Sequence, residues 1–284
     1  MMKKCYPIRI GGVLMVQATL LTEDQIWGEN SLEVIKKYGT KVALSDLAIV
    51  LGGWLGSAGT TIEGDRSGYI WTASALNDLG LVRTITHAGD FCYYYPNRRR
   101  DGVRPVLPKK VTDRIKNPKI KKVLLPNDLE VKIAYFGEYP QKSVKVKLSE
   151  LLEKMYHNRE LKKTKEFYTF DTAGLTDYEQ GFKPKRYFVY IHDERKYIRV
   201  EGRPADSDSI LSNGKDVQIG EPYWIEVLPI KWLIDENTGI WISKKALLSG
   251  IRFGKDDSYD GKFNKTDMYM YLKDYFSKEI LQKG

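Results

Sequence analysis

Three consecutive tyrosines, Tyr93, Tyr94 and Tyr95, lie in the run Phe91-Cys92-Tyr93-Tyr94-Tyr95-Pro96-Asn97, and Arg98, Arg99 and Arg100 follow at once. On a strand, successive side chains point to opposite faces, so Tyr94 must take one face and Tyr93 and Tyr95 the other. A phenol supplies contact area and a hydrogen bond at low entropic cost. Tyr93, Tyr94, Tyr95, Asn97 and Arg98 therefore form a candidate ligand-binding surface, with Asn77, Asp78, His87 and Asp90 at its rim. The alternative of equal weight is that these tyrosines pack against the rest of the chain.

The arginines open a basic stretch. From Arg98 to Lys122 eleven Lys or Arg stand against two acids, a net +9 that equals the net charge of the whole chain. The remaining residues balance, so the charge is a local feature. Arg98, Arg99, Arg100, Lys109, Lys110 and Arg114 are candidates to contact phosphates beside stacked aromatics, or an acidic protein partner. A solvated linker is the plainer reading of such a run.

Other residue sets carry less chemistry. His87, His157 and His192 are the three histidines, and none stands at metal-ligand spacing. Gly52 to Gly59 is glycine-rich but lacks the Lys-Ser/Thr ending of a phosphate-binding loop and follows a helical stretch, so it reads as a loop with close backbone approach. Asp256-Asp257-Ser258-Tyr259-Asp260-Gly261 lacks the alternation and closing Glu of a calcium loop. Asp206-Ser207-Asp208 is equally bare. Cys5 and Cys92 form no disulfide framework, which fits a reducing cytoplasm. No metal, cofactor or catalytic residue is expected.

The elements that must position the tyrosine run can be read from capping and periodicity. Thr22-Glu23-Asp24-Gln25 is a capping-box pattern that starts a helix carrying Ile26 and Trp27. Ser31 to Tyr38 is helical with Leu32 and Ile35 on one face, and Ser45 caps Asp46 to Leu51. Residues 6–18 read as a strand pair around Gly11-Gly12. Tyr69 to Thr72, Leu81 to Thr86, Phe91 to Tyr95 and Val103 to Leu107 read as short strands. Prolines 105, 108, 118 and 126 punctuate a lysine-rich stretch in which Val123-Leu124-Leu125 can dock. Beyond it come a strand from Glu130 to Tyr135 and a helix from Ser149 to His157 with Leu151, Leu152 and Met155 on one face. Hairpins follow around His192 to Arg195 and Asp235 to Thr238, and a helix from Thr266 to Gln282 closes the chain. No apolar run reaches the ~18 residues of a membrane span, and no cleavage pattern of a signal peptide is present.

Gly68-Tyr69-Ile70-Trp71-Thr72, followed by Gly102-Val103-Arg104-Pro105-Val106-Leu107-Pro108, resembles the closing strands of bacterial domains with the C-type-lectin and formylglycine-generating-enzyme fold. Leu21 to Gln25 is similar to a helix start in those domains. Phe136 to Gln141, Tyr223 to Trp232 and Ser243 to Leu248 are similar to segments of one uncharacterised bacterial family, common in gut bacteria and their mobile elements. In single-domain relatives the Trp-rich hairpin precedes the Gly-Val-Arg-Pro ending; here it follows. The resemblance implies that the stretch before Gly-Val-Arg-Pro displays binding residues, and that Arg104 is structural, holding backbone carbonyls or a carboxylate. Oxygen-activating cysteine chemistry is not expected, because Cys5 and Cys92 make no local motif.

The expected molecule is an α+β protein: a C-type-lectin-like first domain over 1–108, a basic linker over 109–128, and a β-rich α+β domain over 129–284 carrying a C-terminal helix. Its expected role is non-enzymatic recognition of a protein partner through the tyrosine surface. The alternative is a phage or mobile-element protein that blocks a host nucleic-acid (defence) machine through residues 98–122. Neither role involves a membrane.

Overall fold

The computed structural model describes residues 17–76, 79–206, 208–255 and 258–281. Cys5, the strand pair expected around Gly11-Gly12, the rim residues Asn77 and Asp78, and Asp256-Asp257 lie outside them.

Short polar side chains set the helix starts. Thr22 and Gln25 close a reciprocal capping box at α1 (Glu23–Trp27), and Ser45 Oγ accepts the Ala48 N–H at the head of α3 (Asp46–Val50). Between them α2 (Glu33–Tyr38) stops at Gly39. Two small sheets follow. The first pairs β1 (Leu55–Thr60) with β2 (Arg66–Gly68). The second is an antiparallel meander of β3 (Ile70–Leu76), β4 (Leu81–Ile85) and β5 (Phe91–Tyr94), in that order. The glycine-rich run expected as a loop is thus partly strand β1. Its expected close approach is real, because the His87 ring lies where a Cβ on Gly56 would stand.

Among the described residues the large sheet has eight strands: β6 (Val106–Leu107), β7 (Lys119–Leu124), β8 (Glu130–Ser143), β9 (Lys162–Asp171), β10 (Pro184–His192), β11 (Arg195–Glu201), β12 (Pro222–Ile234) and β13 (Trp241–Ser243). One path runs β6-β13-β12-β11-β10-β9; β8 lines the other side of β12 and carries β7. Pro229 cannot donate to the ladder, and the β8–β12 register shifts beside it. Opposite this irregularity Gly137 adopts φ +68°, and a Cβ there would collide with Ile280. The C-terminal segment packs onto that spot. It comprises α6 (Asp267–Tyr271), a π-helical turn (Leu272–Phe276) and α7 (Ser277–Leu281). Of Met268, Leu272, Tyr275, Phe276 and Ile280, whose spacing predicts one buried face, all are buried except Tyr275, which is half-buried.

The segment 109–128, expected as a linker, is built into the fold. It contains a helical turn, α4 (Lys109–Thr112), and β7, which pairs with β8 through the turn at Pro126-Asn127-Asp128. Val111 and Leu125 are buried and fasten it. Its lysines stay exposed on a sheet edge, where charge discourages edge-to-edge pairing. The two parts it was expected to separate share one apolar core that runs from Ala18 to Ile280. β6 pairs with β13, and single bridges join Leu44 to Ala246 and Val103 to Leu248. A smaller cluster, with Trp224, Tyr197 and Leu152, lies beneath α5 (Val146–His157). Leu151, expected on the buried face with Leu152, is exposed, because the two are about 100° apart on the helix.

Buried polar groups tie the parts together. The Asp46 carboxylate accepts the N–H and Oγ–H of both Ser143 and Ser212, at 2.6–2.8 Å. Arg99, fully buried, donates to the Asp171 carboxylate and the Gln180 carbonyl. Arg104 Nε donates to Ser243 O at 2.8 Å, the carbonyl-holding role the resemblance implies. No helix among the described residues is long and apolar enough to cross a membrane.

Candidate functional site

β5 is the edge of its meander: among the described residues it pairs only with β4. Thr86 N–H donates to Asp90 O at 2.8 Å, which fixes the alternation of the ladder. By that alternation Cys92 and Tyr94 turn their backbone groups toward β4, and Phe91 and Tyr93 turn theirs outward. The side chains of Phe91, Tyr93 and Tyr95 share the other feature of the edge, solvent exposure, at 55%, 46% and 62%. Values of this size in a row of three aromatics distinguish this strand from every buried strand of the large sheet.

The exposed face is held from the side. Arg83, opposite Tyr93 in the register, lays its guanidinium over Phe91 at 4.6 Å and pairs through Nε with Glu23 at 3.1 Å. Trp27, at the end of α1, meets Phe91 edge-on at 6.0 Å. An open hollow lined by Trp27, Glu23, Ala73 and Ala75 adjoins it.

The other face of β5 is locked. Tyr94 is half-buried, and the Arg98 guanidinium stacks on it at 3.5 Å from the ring centroid. Trp54 and Tyr69 stack at 4.3 Å and box the same guanidinium, which lies 4.9 Å from Trp54 and 5.8 Å from Tyr69. Asp101 is fully buried below, with Oδ1 at 3.4 Å from Arg98 Nη2 and, among the described residues, no hydrogen-bond donor on either oxygen. Burial pushes its carboxyl up to about 6, against the opposing pull of Arg98 and Arg100. Burial also lifts the Tyr94 phenol to about 12, and Arg98 works in the other direction.

The structure therefore divides the expected site residues. Tyr93 and Tyr95 are on the open face, with Phe91, Arg83 and Trp27 added. Tyr94 and Arg98, also expected on that surface, are half-buried beneath it and stacked on each other. Asn97 is half-buried in the turn after β5. His87 lies under the sheet against Tyr69 at 5.3 Å, and Asp90 is exposed at the hairpin end. The period of two from Phe91 through Tyr95 signals the added Phe91. Trp27, Arg83, Trp54 and Tyr69 come from other elements, and nothing local marks them.

The basic candidates also divide. Arg99 is fully buried in its pair with Asp171, and Arg98 is half-buried in its aromatic box. Arg100 is half-buried, and its carbonyl accepts the Trp54 N–H. Lys109 pairs with Asp113 at 2.6 Å; Lys110 and Arg114 are exposed on α4 and the turn after it, which is anchored to Gly239 through Thr112. Among the described residues no group of three or more His, Cys, Asp or Glu is arranged to hold a metal ion.

Compared with known proteins, the chain matches no family model, no curated protein and no solved structure.

Proposed function

We propose that this chain is a non-enzymatic binding protein whose contact surface is the outer face of β5. The observation that carries this reading is the row Phe91, Tyr93 and Tyr95, exposed together along edge strand β5 and the residue that follows it, with Arg98 stacked beneath on Tyr94. A rigid strand loses little entropy on binding, and aromatic anchors supply most of the energy at protein interfaces. The scaffold we assign is a C-type-lectin-like arrangement of the first 108 residues, completed by the β12–β13 hairpin. Support comes from the Gly-Val-Arg-Pro segment. The Trp-rich hairpin follows it in the chain, yet β13 lies beside β6 in space. Capture of a protein from bacterial lysate, insensitive to nuclease and lost in the Tyr93→Ala/Tyr95→Ala double variant, is the expected result. Unchanged capture by the double variant would refute the assignment of the surface.

A second reading, inhibition of a host nucleic-acid machine by a phage or mobile-element protein, is supported by a different observation. Lys110, Arg114, Lys116, Lys119 and Lys121 are all exposed along α4 and β7. It requires binding that weakens steeply with salt and with charge reversal at Lys119 and Lys121.

A further inference from the structure

Among the described residues the path of the large sheet ends at β9, and the C-terminal helical segment leaves part of that end uncovered. A groove of about 600 Å³ remains between β9, β10 and the helix, within the size range of small-ligand sites. Phe167, Pro184 and Tyr275 line it together with three cations and three acids.

The acids are engaged within the fold. Asp274 pairs with Lys278 at 3.2 Å, Glu166 with Lys196 at 3.3 Å, and Glu279 accepts the Thr169 N–H at 3.2 Å. Lys165 and Arg186 are exposed at the groove and make no ion pair among the described residues. Arg186 instead stacks on Phe167 at 4.5 Å. A stacked guanidinium keeps its in-plane N–H groups free, the geometry that grips a phosphate. Tyr275 is braced by Tyr271, at 5.7 Å and 22° between planes, and by Phe182 at 5.2 Å. It sits on the π-helical turn, as does Asp274; such turns interrupt regular helix bonding and occur often at functional sites.

We propose that this groove binds a small aromatic phosphate with the chemistry of a nucleoside monophosphate. The ring lies against Tyr275, and the phosphate is held by Arg186 and Lys165. Two cations without an ion pair among the described residues, beside two aromatic side chains, complement a dianion joined to a planar ring, and neither half alone uses the whole groove.

The test is calorimetric titration of the full chain with AMP, with adenosine and inorganic phosphate in parallel. AMP is expected to bind saturably, and each half to bind at least about tenfold more weakly. Arg186→Glu, an exposed change whose folding is checked by urea unfolding, is expected to abolish AMP binding. Tyr93→Ala is expected to leave it unchanged, since that residue belongs to the other surface. Absence of saturable AMP binding, phosphate binding as tight as AMP, or AMP binding unaltered by Arg186→Glu would each overturn the proposal.

Discussion

The Arg98 guanidinium lies over the Tyr94 ring, 3.5 Å from its centroid, so the strand that carries the exposed tyrosines is pinned by the residue that begins the basic stretch. This stacking also supplies the sole cation within 4 Å of the buried Asp101 among the described residues. Arg98→Ala removes the stack and leaves a carboxylate without its counter-ion. It is expected to cost about 3 kcal/mol in urea unfolding, and Arg98→Lys to recover only part, because an ammonium does not stack as a guanidinium does. A change well below about 1 kcal/mol for Arg98→Ala would show that the clamp is not formed in solution.

Asp101 gives a pH dependence of definite sign. Its folded pKa, about 6, lies above the ordinary 3.8, so between these values the folded state binds the extra proton. Stability due to this group is therefore highest in acid and falls as pH rises through about 6. Relative to wild type, Asp101→Asn is expected to gain on the order of 2–3 kcal/mol between pH 4 and pH 7. Urea unfolding of both proteins across that range measures it, and a flat difference would contradict the burial of this carboxyl.

The buried pair of Arg99 and Asp171 joins the end of β9 to the segment after β5. Asp171→Ala leaves Arg99 uncompensated and is expected to lower stability by about 3–5 kcal/mol. Replacing both, as Arg99→Met/Asp171→Leu, is expected to cost less than Asp171→Ala alone. Additive losses in a denaturation cycle would mean that the two side chains do not meet.

Gly137 and Ile280 form a second cycle. Gly137→Ala introduces both a left-handed alanine and a clash with the Ile280 side chain. In an Ile280→Ala background only the backbone term, about 1 kcal/mol, remains. The penalty for Gly137→Ala is therefore expected to be larger in wild type than in that background, as read from unfolding midpoints.

The sequence was most informative where one local rule decides the outcome. Thr22 with Gln25, and Ser45, gave helix starts; the turn His192 to Arg195 and the hairpin before Trp241 gave strand pairs that the register confirms. The alternation of Tyr93, Tyr94 and Tyr95 was legible for the same reason. What stayed hidden depends on partners remote in the chain. β1 has a glycine-rich sequence because His87 lies on it, and β7 reads as linker because an exposed edge strand carries lysines rather than alternating apolar residues. Arg98 and Arg99 read as candidate contacts for phosphates or an acidic partner, since their aromatic box and carboxylate come from Trp54, Tyr69 and Asp171.

The pairing of β6 with β13 has a consequence during synthesis. Val106 finds its partner Ile242 only after most of the chain has been made. The first 108 residues leave the ribosome without the strand that completes their sheet, and Val103, Val106 and Leu44 stay uncovered meanwhile. At ordinary elongation rates that interval lasts on the order of ten seconds. The nascent chain is thus expected to engage holding chaperones, and a fragment that stops before β13 is expected to aggregate.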